Sequence, residues 1–202
     1  NKNSPFIGKV SQLCCLFVRC VTPNLDYFLK DPEKAKQICE TLKIFLQVNI
    51  ISDSIAQDLS SLIISFSFND FSNLEKFPGT KQFEQFFQLF FSSPQFVVPF
   101  ESLGGLLALW ELLLSPSKSY LSGVIFPEIT KTIHLYFNSE NIEPAVAFLL
   151  HIKSTFMKIP ELNSILAFQF LYDLFFNSKP QLLSKFIEIG GFKIINQYII
   201  EN

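Results

Sequence analysis

Hydrophobic residues recur along most of this chain at the spacing of an α-helix. The clearest example follows Thr80, where five phenylalanines fall at i, i+3, i+4, i+7 and i+8. They are Phe83, Phe86, Phe87, Phe90 and Phe91. This spacing places them on one face of a helix, so the pattern predicts a helix with a single buried stripe and a cap at Thr80.

Two helix starts are marked by capping residues. Asp31 stands before Pro32 and Glu33, which is typical of an N-cap, a first helical position and an acidic first turn, and the helix is predicted to run to about residue 48. Ser52 precedes a second apolar stripe and predicts another cap. Only from Ile63 to Phe68 do apolar and polar residues alternate in a way that makes a strand the alternative.

The remaining pattern predicts helices throughout. They are expected at about 6–20, 95–103, 105–114, 117–137 with a break near Pro127, 143–157, 161–177, 180–189 and 191–200. Most prolines fall at or near these starts, where the missing N–H costs least. The chain is therefore predicted to be all-α, with 69–79 as a surface loop inside one domain that covers 1–202.

Composition narrows the classes of protein. The 202 residues are 49% hydrophobic and 17% charged with a net charge of −2, which excludes intrinsic disorder and makes nucleic acid an unexpected partner. The longest uncharged stretch is too short and too rich in Pro and Ser for a transmembrane segment. Because the chain starts at Asn1 and its one methionine is Met157, we expect it to be an excerpt of a longer polypeptide. Four cysteines without a disulfide framework indicate a cytoplasmic or otherwise intracellular location, with any membrane association indirect, through the parent chain.

Residues that could carry chemistry are few. His134 and His151 lie in apolar helical segments without a Cys or carboxylate at ligand spacing, and a metal or general-base site needs such a partner. The four cysteines lack zinc or disulfide spacing and are predicted to be reduced core thiols, although Lys9 or Arg19 could activate a thiol at 14–15. No catalytic residue, metal or cofactor is predicted, so the sequence favours a protein that is not an enzyme. The alternative is an α-helical enzyme domain whose site the sequence does not reveal.

A short motif occurs twice. Phe100 to Leu109 and Phe186 to Ile195 share an aromatic residue, an aliphatic residue, a glycine pair and an apolar helix, 86 residues apart. This offset is twice 43, and armadillo and HEAT repeats have periods of ~40 to 47 residues. Each glycine pair is expected to end one helix in a left-handed conformation and to start the next at a steep angle. A degenerate unit without glycines is placed between them, at Glu143 to Ile152.

The density of phenylalanine suggests a docking surface. Eleven of the 25 phenylalanines lie between Phe66 and Phe100, more than one helix stripe can bury. One hypothesis is that Phe68, Phe71 and Phe77 form an exposed patch for a partner protein. The alternative is that phenylalanine simply takes the place of leucine in the core.

The glycine-pair motif resembles the junction into the last helix of an armadillo unit. In a Phe-, Asn- and Lys-rich chain it is similar to the helical-repeat region that precedes the BEACH domain of large BEACH proteins. The resemblance implies a right-handed α-solenoid of stacked helices, about four to five units, acting as a non-catalytic scaffold in membrane traffic and binding other proteins. A second resemblance, to helical-repeat regulatory subunits of a serine/threonine phosphatase, rests on Phe6-Ile-Gly-Lys, Cys14-Cys15, the segment from Asn49 to Phe68, and Phe86 to Phe96. The acidic insertion of that family is absent here.

Overall fold

The computed structural model describes residues 5–47, 52–68, 80–136, 143–178 and 180–202. Within these ranges the secondary structure is helical and contains no strand, which confirms the all-α prediction. The helices are α1 (Pro5–Val21), α2 (Leu25–Leu29), α3 (Pro32–Gln47), α4 (Asp53–Phe68), α5 (Thr80–Phe91), α6 (Val97–Ser102), α7 (Gly105–Leu113), α8 (Ser119–Tyr136), α9 (Glu143–Thr155), α10 (Glu161–Tyr172), α11 (Pro180–Glu188) and α12 (Gly191–Glu201). Short 3-10 turns lie at Thr22–Asn24, Pro94–Phe96, Pro116–Lys118 and Phe156–Lys158, and a π-helical segment, Asp173–Ser178, follows α10. Their arrangement as an armadillo- or HEAT-like solenoid stays a prediction.

Both predicted caps around α3 and α4 are present. Asp31 Oδ1 accepts hydrogen bonds from the amides of Glu33 at 3.1 Å and Lys34 at 3.3 Å. Ser52 Oγ accepts one from the Ile55 amide at 3.4 Å. The strand alternative at 63–68 is wrong, because α4 continues to Phe68.

The predicted break near Pro127 is also wrong, since α8 runs through it without interruption. A proline inside a helix removes one amide donor and crowds the carbonyl four residues earlier. Here that residue is Gly123, which is exposed and has no side chain. A glycine on the solvent side of the helix is a position where the loss of one backbone hydrogen bond is least costly, and the helix continues.

The chain forms two compact units, Asn1–Gly105 and Leu106–Asn202. In the first, α3 packs on α5, α1 packs on α4, and α4 packs on α6. Its interior is filled by fully buried phenylalanine rings whose centroids lie 4.5 to 6.4 Å apart. They are Phe86, Phe87, Phe90, Phe91, Phe96 and Phe100. For these residues, phenylalanine does serve as the core side chain.

The second unit is organised around Trp110, the only tryptophan of the chain. Its indole is 1% exposed and contacts three phenylalanine rings with centroids 5.9 to 6.5 Å away. They are Phe148, Phe156 and Phe170. Around this cluster α8 packs against α10 and the π-helical segment, while α11 and α12 pack against each other and α9.

The two glycine pairs adopt the same local geometry. Gly104 and Gly190 have φ angles of 76° and 79°, the left-handed conformation that favours glycine. Their amides close the preceding helices on the carbonyls of Glu101 at 3.0 Å and Ile187 at 2.9 Å. The expected left-handed helix ends are thus present at both copies of the motif.

The second glycine of each pair lies against an aromatic ring. A Cβ on Gly105 would come within 2.4 Å of the Phe100 ring, and a Cβ on Gly191 would come within 2.4 Å of the Phe186 ring. Each phenylalanine stands five residues before the glycine it covers. We refer to each set of aromatic residue and glycine pair as a Phe-Gly-Gly corner.

Candidate interaction surface

The predicted docking patch falls largely on residues that the structure does not describe. Phe71 and Phe77 lie outside the described ranges, and Phe68 is the last residue of α4 with its side chain outside the description. The patch therefore stays a prediction.

One histidine has a partner that spacing along the sequence does not reveal. His134 is exposed on α8, whereas His151 Nε2 lies 2.7 Å from Glu111 Oε1, a carboxylate 40 residues away on α7. Both side chains are partly exposed. Helix packing alone makes this pair, so neighbouring positions in the sequence gave no signal for it.

The same helices are joined by a buried polar contact. Trp110 Nε1 donates to Thr155 Oγ1 at 2.9 Å, and Thr155 Oγ1 donates to the carbonyl of His151 at 2.8 Å. The indole N–H of Trp110 and the hydroxyl of Thr155 therefore both have a partner, as buried polar groups in a low-dielectric interior require. Together with the contact between Glu111 and His151, this chain of hydrogen bonds holds α7 to α9, which is a structural role.

The cysteines do not form a reactive site. Cys14, Cys15 and Cys39 are buried, and burial raises the pKa of Cys14 and of Cys39, which disfavours the thiolate. Cys20, by contrast, is exposed, so the prediction of a core thiol is wrong there. It follows Arg19, itself exposed, on the face of α1 that is turned to solvent.

A shallow groove of about 390 Å³ beside Cys15 also lacks an available charge. Arg19, the cationic residue of its lining, donates from Nε to Asp58 Oδ2 at 2.8 Å and Oδ1 at 3.1 Å. The Cys15 thiol lies 3.5 Å from Ser54 Oγ. Because its carboxylate partner already holds the guanidinium, Arg19 is a surface ion pair rather than an activator of the thiol.

Metal ligation finds no support in the described ranges, where no group of three or more His, Cys, Asp or Glu side chains is placed to hold an ion. Among the same residues no single helix is long and apolar enough to cross a membrane. One pair of consecutive helical segments, Pro94–Ser102 and Gly105–Leu113, is long and apolar enough when the two are taken together, but the pair is bent by 82°.

The most distinctive surface is an apolar face of α10 and the π-helical segment. Its exposed side chains recur at intervals of three or four residues, so they line one side of the helix. The exposed fraction is 72% for Leu162, 78% for Ile165, 55% for Tyr172 and 60% for Phe176. We call these four residues, with the exposed Gln169 between them, the α10 stripe.

Contacts within the stripe show that its members share a face. The rings of Tyr172 and Phe176 lie 5.0 Å apart. Gln169 Nε2 donates to Asp173 Oδ2 at 2.9 Å, and Asn177 Nδ2 donates to Asp173 Oδ1 at 2.6 Å. Both oxygens of this buried carboxylate are therefore occupied, and the stripe presents no free charge at its centre.

The opposite side of α10 is packed into the core. Asn163, Ala167, Phe170 and Leu171 are buried there, so the helix has apolar residues on every side. A helix of this kind in a folded protein normally has both faces covered. One face of α10 is covered by the chain itself, and the other is open to solvent.

Relatives do not supply a function. Comparison with models of protein families, with curated proteins and with solved structures gives no match for this chain. A function can therefore be inferred only from the geometry of this chain's own residues.

Proposed function

We propose that this chain is a non-catalytic scaffold that binds other proteins. The α10 stripe is the observation that carries the proposal. Exposed apolar residues scattered singly are normal, but a contiguous apolar patch on a folded protein marks an interaction site. Four large apolar side chains in register on one helix form such a patch.

The exposed apolar area is the size of an interaction site. Two aromatic side chains and two aliphatic ones at these exposed fractions present roughly 400 Å² of apolar surface. The largest apolar patch on a monomer is ~300 to 600 Å² and is often functional. Interfaces of one size range from micromolar to picomolar affinity, so the area supports a binding surface without fixing its dissociation constant.

The more specific proposal is a scaffold of the BEACH type, in membrane traffic and on the cytoplasmic side. It is supported by the two Phe-Gly-Gly corners, whose matching geometry agrees with the armadillo-like junction that the resemblance implies. The corners do not identify a partner. That step requires an experiment.

The proposal is tested by affinity capture with matched variants. Ile165→Glu places a carboxylate in the middle of the α10 stripe, and Ile200→Glu makes the same change on α12 at a residue that is 84% exposed. The wild-type chain and both variants are tagged, checked for equal helical content by circular dichroism, and used to capture proteins from cell extract for quantitative mass spectrometry.

We expect a set of proteins that the wild type and Ile200→Glu retain and that Ile165→Glu loses. Membrane-traffic components in that set would support the BEACH-type proposal, whereas the catalytic subunit of a serine/threonine phosphatase would favour the second resemblance. Identical sets for all three chains would overturn the stripe as the surface that binds other proteins.

A further inference from the structure

The α10 stripe has an arrangement that suits pairing with itself. Its two aliphatic residues, Leu162 and Ile165, lie at the N-terminal end, and its two aromatic residues, Tyr172 and Phe176, lie at the C-terminal end. Gln169 stands midway between residues 162 and 176. If a second stripe approaches in the antiparallel direction, each aliphatic side chain meets an aromatic one, and the two Gln169 residues meet at the two-fold axis.

From this complementarity we propose that the α10 stripe binds the α10 stripe of a second copy of the chain, antiparallel and around a two-fold axis. The inference rests on the proposed function in one respect, that the stripe is a protein-binding surface. A two-fold interface uses the same patch on both copies. Here the patch is complementary to itself by residue size.

Electrostatics favours a second copy over a charged partner. Between Leu162 and Ser178 the sequence holds one charged residue, Asp173. Its side chain is 8% exposed and its two oxygens accept hydrogen bonds from Gln169 and Asn177. The exposed Glu161 lies one turn before Ile165, at the N-terminal end of the stripe. In an antiparallel pair the two Glu161 side chains lie at opposite ends, so two copies bring no exposed like charges together.

The area agrees with the requirement of a dimer. A standard interface buries ~800 Å² on each partner, of which about 57%, or roughly 450 Å², is apolar. The four apolar side chains of the stripe present roughly 400 Å², which is most of the apolar area that one partner contributes. Leu162 and Phe176 are 14 positions apart, about 21 Å along a helix, which is enough for one contiguous helix pair.

The first test measures the oligomeric state of the full 202-residue chain by sedimentation velocity and light scattering over ~1 to 200 μM. We expect a dimer that dissociates in the micromolar range. Ile165→Glu should weaken it at least ~10-fold, because a buried unpaired carboxylate at the centre of an interface is a severe perturbation. Ile200→Glu should leave the dissociation constant within about twofold.

A second test reads the direction of pairing and does not depend on the stability of Ile165→Glu. In a Cys20→Ser background, Leu162→Cys and Phe176→Cys are made as separate chains, mixed and oxidised. Antiparallel pairing predicts a disulfide between the two different chains and little within either alone, since like positions are then about 21 Å apart and a disulfide needs Cα atoms within ~7 Å.

The outcomes separate this inference from the proposed function. Any one of three results would overturn antiparallel self-pairing. The wild-type chain could be monomeric at ~200 μM, the dimer could survive Ile165→Glu, or cross-links could form only between like positions. If the chain is monomeric but the capture experiment still shows proteins lost with Ile165→Glu, the inference fails and the proposed function stands. If neither dimerisation nor capture depends on Ile165, both fail.

Discussion

The Phe-Gly-Gly corner at Phe186 predicts that adding one methyl group will destabilise the protein. An alanine Cβ at residue 191 would lie 2.4 Å from ring carbons of Phe186, whereas carbon atoms in contact prefer ~3.5 to 4.0 Å. The ring is 1% exposed and is packed against Phe175 and Phe192, with centroids 5.1 and 5.9 Å away. Because it has little room to move, we expect Gly191→Ala to lower the free energy of unfolding by about 1 to 3 kcal/mol.

Two other glycines distinguish the cost of overlap with a ring from the cost of a side chain on a left-handed backbone. Gly190→Ala meets no atom closer than 3.9 Å, but its φ of 79° is left-handed, so its cost of ~1 to 2 kcal/mol is conformational. Gly123→Ala is the matched control, since this position lies within α8 in open space. There the helix preference of alanine should raise the free energy of unfolding by ~0.5 to 1 kcal/mol.

The assay is urea denaturation followed by far-UV circular dichroism for the three variants and the wild type. A Phe186→Leu background supplies a rescue, because a smaller side chain leaves room for the new methyl group and Gly191→Ala should then cost less. If Gly191→Ala stabilises the protein as Gly123→Ala does, or if Phe186→Leu does not change its cost, the ring does not occupy that space and the steric argument is wrong.

Three further predictions concern polar groups. Thr155→Val leaves the buried Nε1 of Trp110 without an acceptor and should lower the free energy of unfolding by ~1 to 3 kcal/mol. Thr155→Ser keeps the hydroxyl and should retain most of the wild-type stability, and urea denaturation of both variants distinguishes the two outcomes. Thiol labelling of the native protein should modify Cys20 first and spare Cys39, whose pKa is raised by burial, and equal labelling of the two would contradict the packing of α3. Hydrogen bonds from the backbone and side chain of Lys34 lower the pKa of Asp31 in the folded protein. The ionised Asp31 carboxylate therefore stabilises the fold fully at pH values above the pKa of an unfolded aspartate, and this stabilisation is lost as the pH falls through the lowered pKa of the folded state. The difference in stability between the wild type and Asp31→Asn should therefore shrink from about pH 6 to pH 2, and a constant difference would be evidence against it.

Helix starts were predictable because their signals are local. Asp31 and Ser52 act within three residues of their own position, and the left-handed glycines act within one turn. The predicted break at Pro127 was wrong because the effect of a proline within a helix depends on the surroundings of the carbonyl four residues earlier. The glycine there is exposed, and the sequence alone did not indicate that the missing bond would be tolerated.

The candidate site was harder to predict because α10 is not amphipathic. In an amphipathic helix the polar residues identify the exposed face and so indicate which face is buried, but α10 has apolar residues on both sides. Nothing in the local sequence distinguishes the exposed Ile165 from the buried Phe170. The contact of Glu111 with His151 was missed for a related reason, since it depends on how α7 packs against α9.

The Phe-Gly-Gly corners also bear on how distant relatives of this chain could be identified. Each position of the corner is limited by its own steric condition: a left-handed backbone at the first glycine, no room for a methyl group at the second, and a planar ring five residues before it. The spacing Phe-x-x-x-Gly-Gly therefore has a physical basis, and two such corners 86 residues apart give a pattern with which other sequences can be searched.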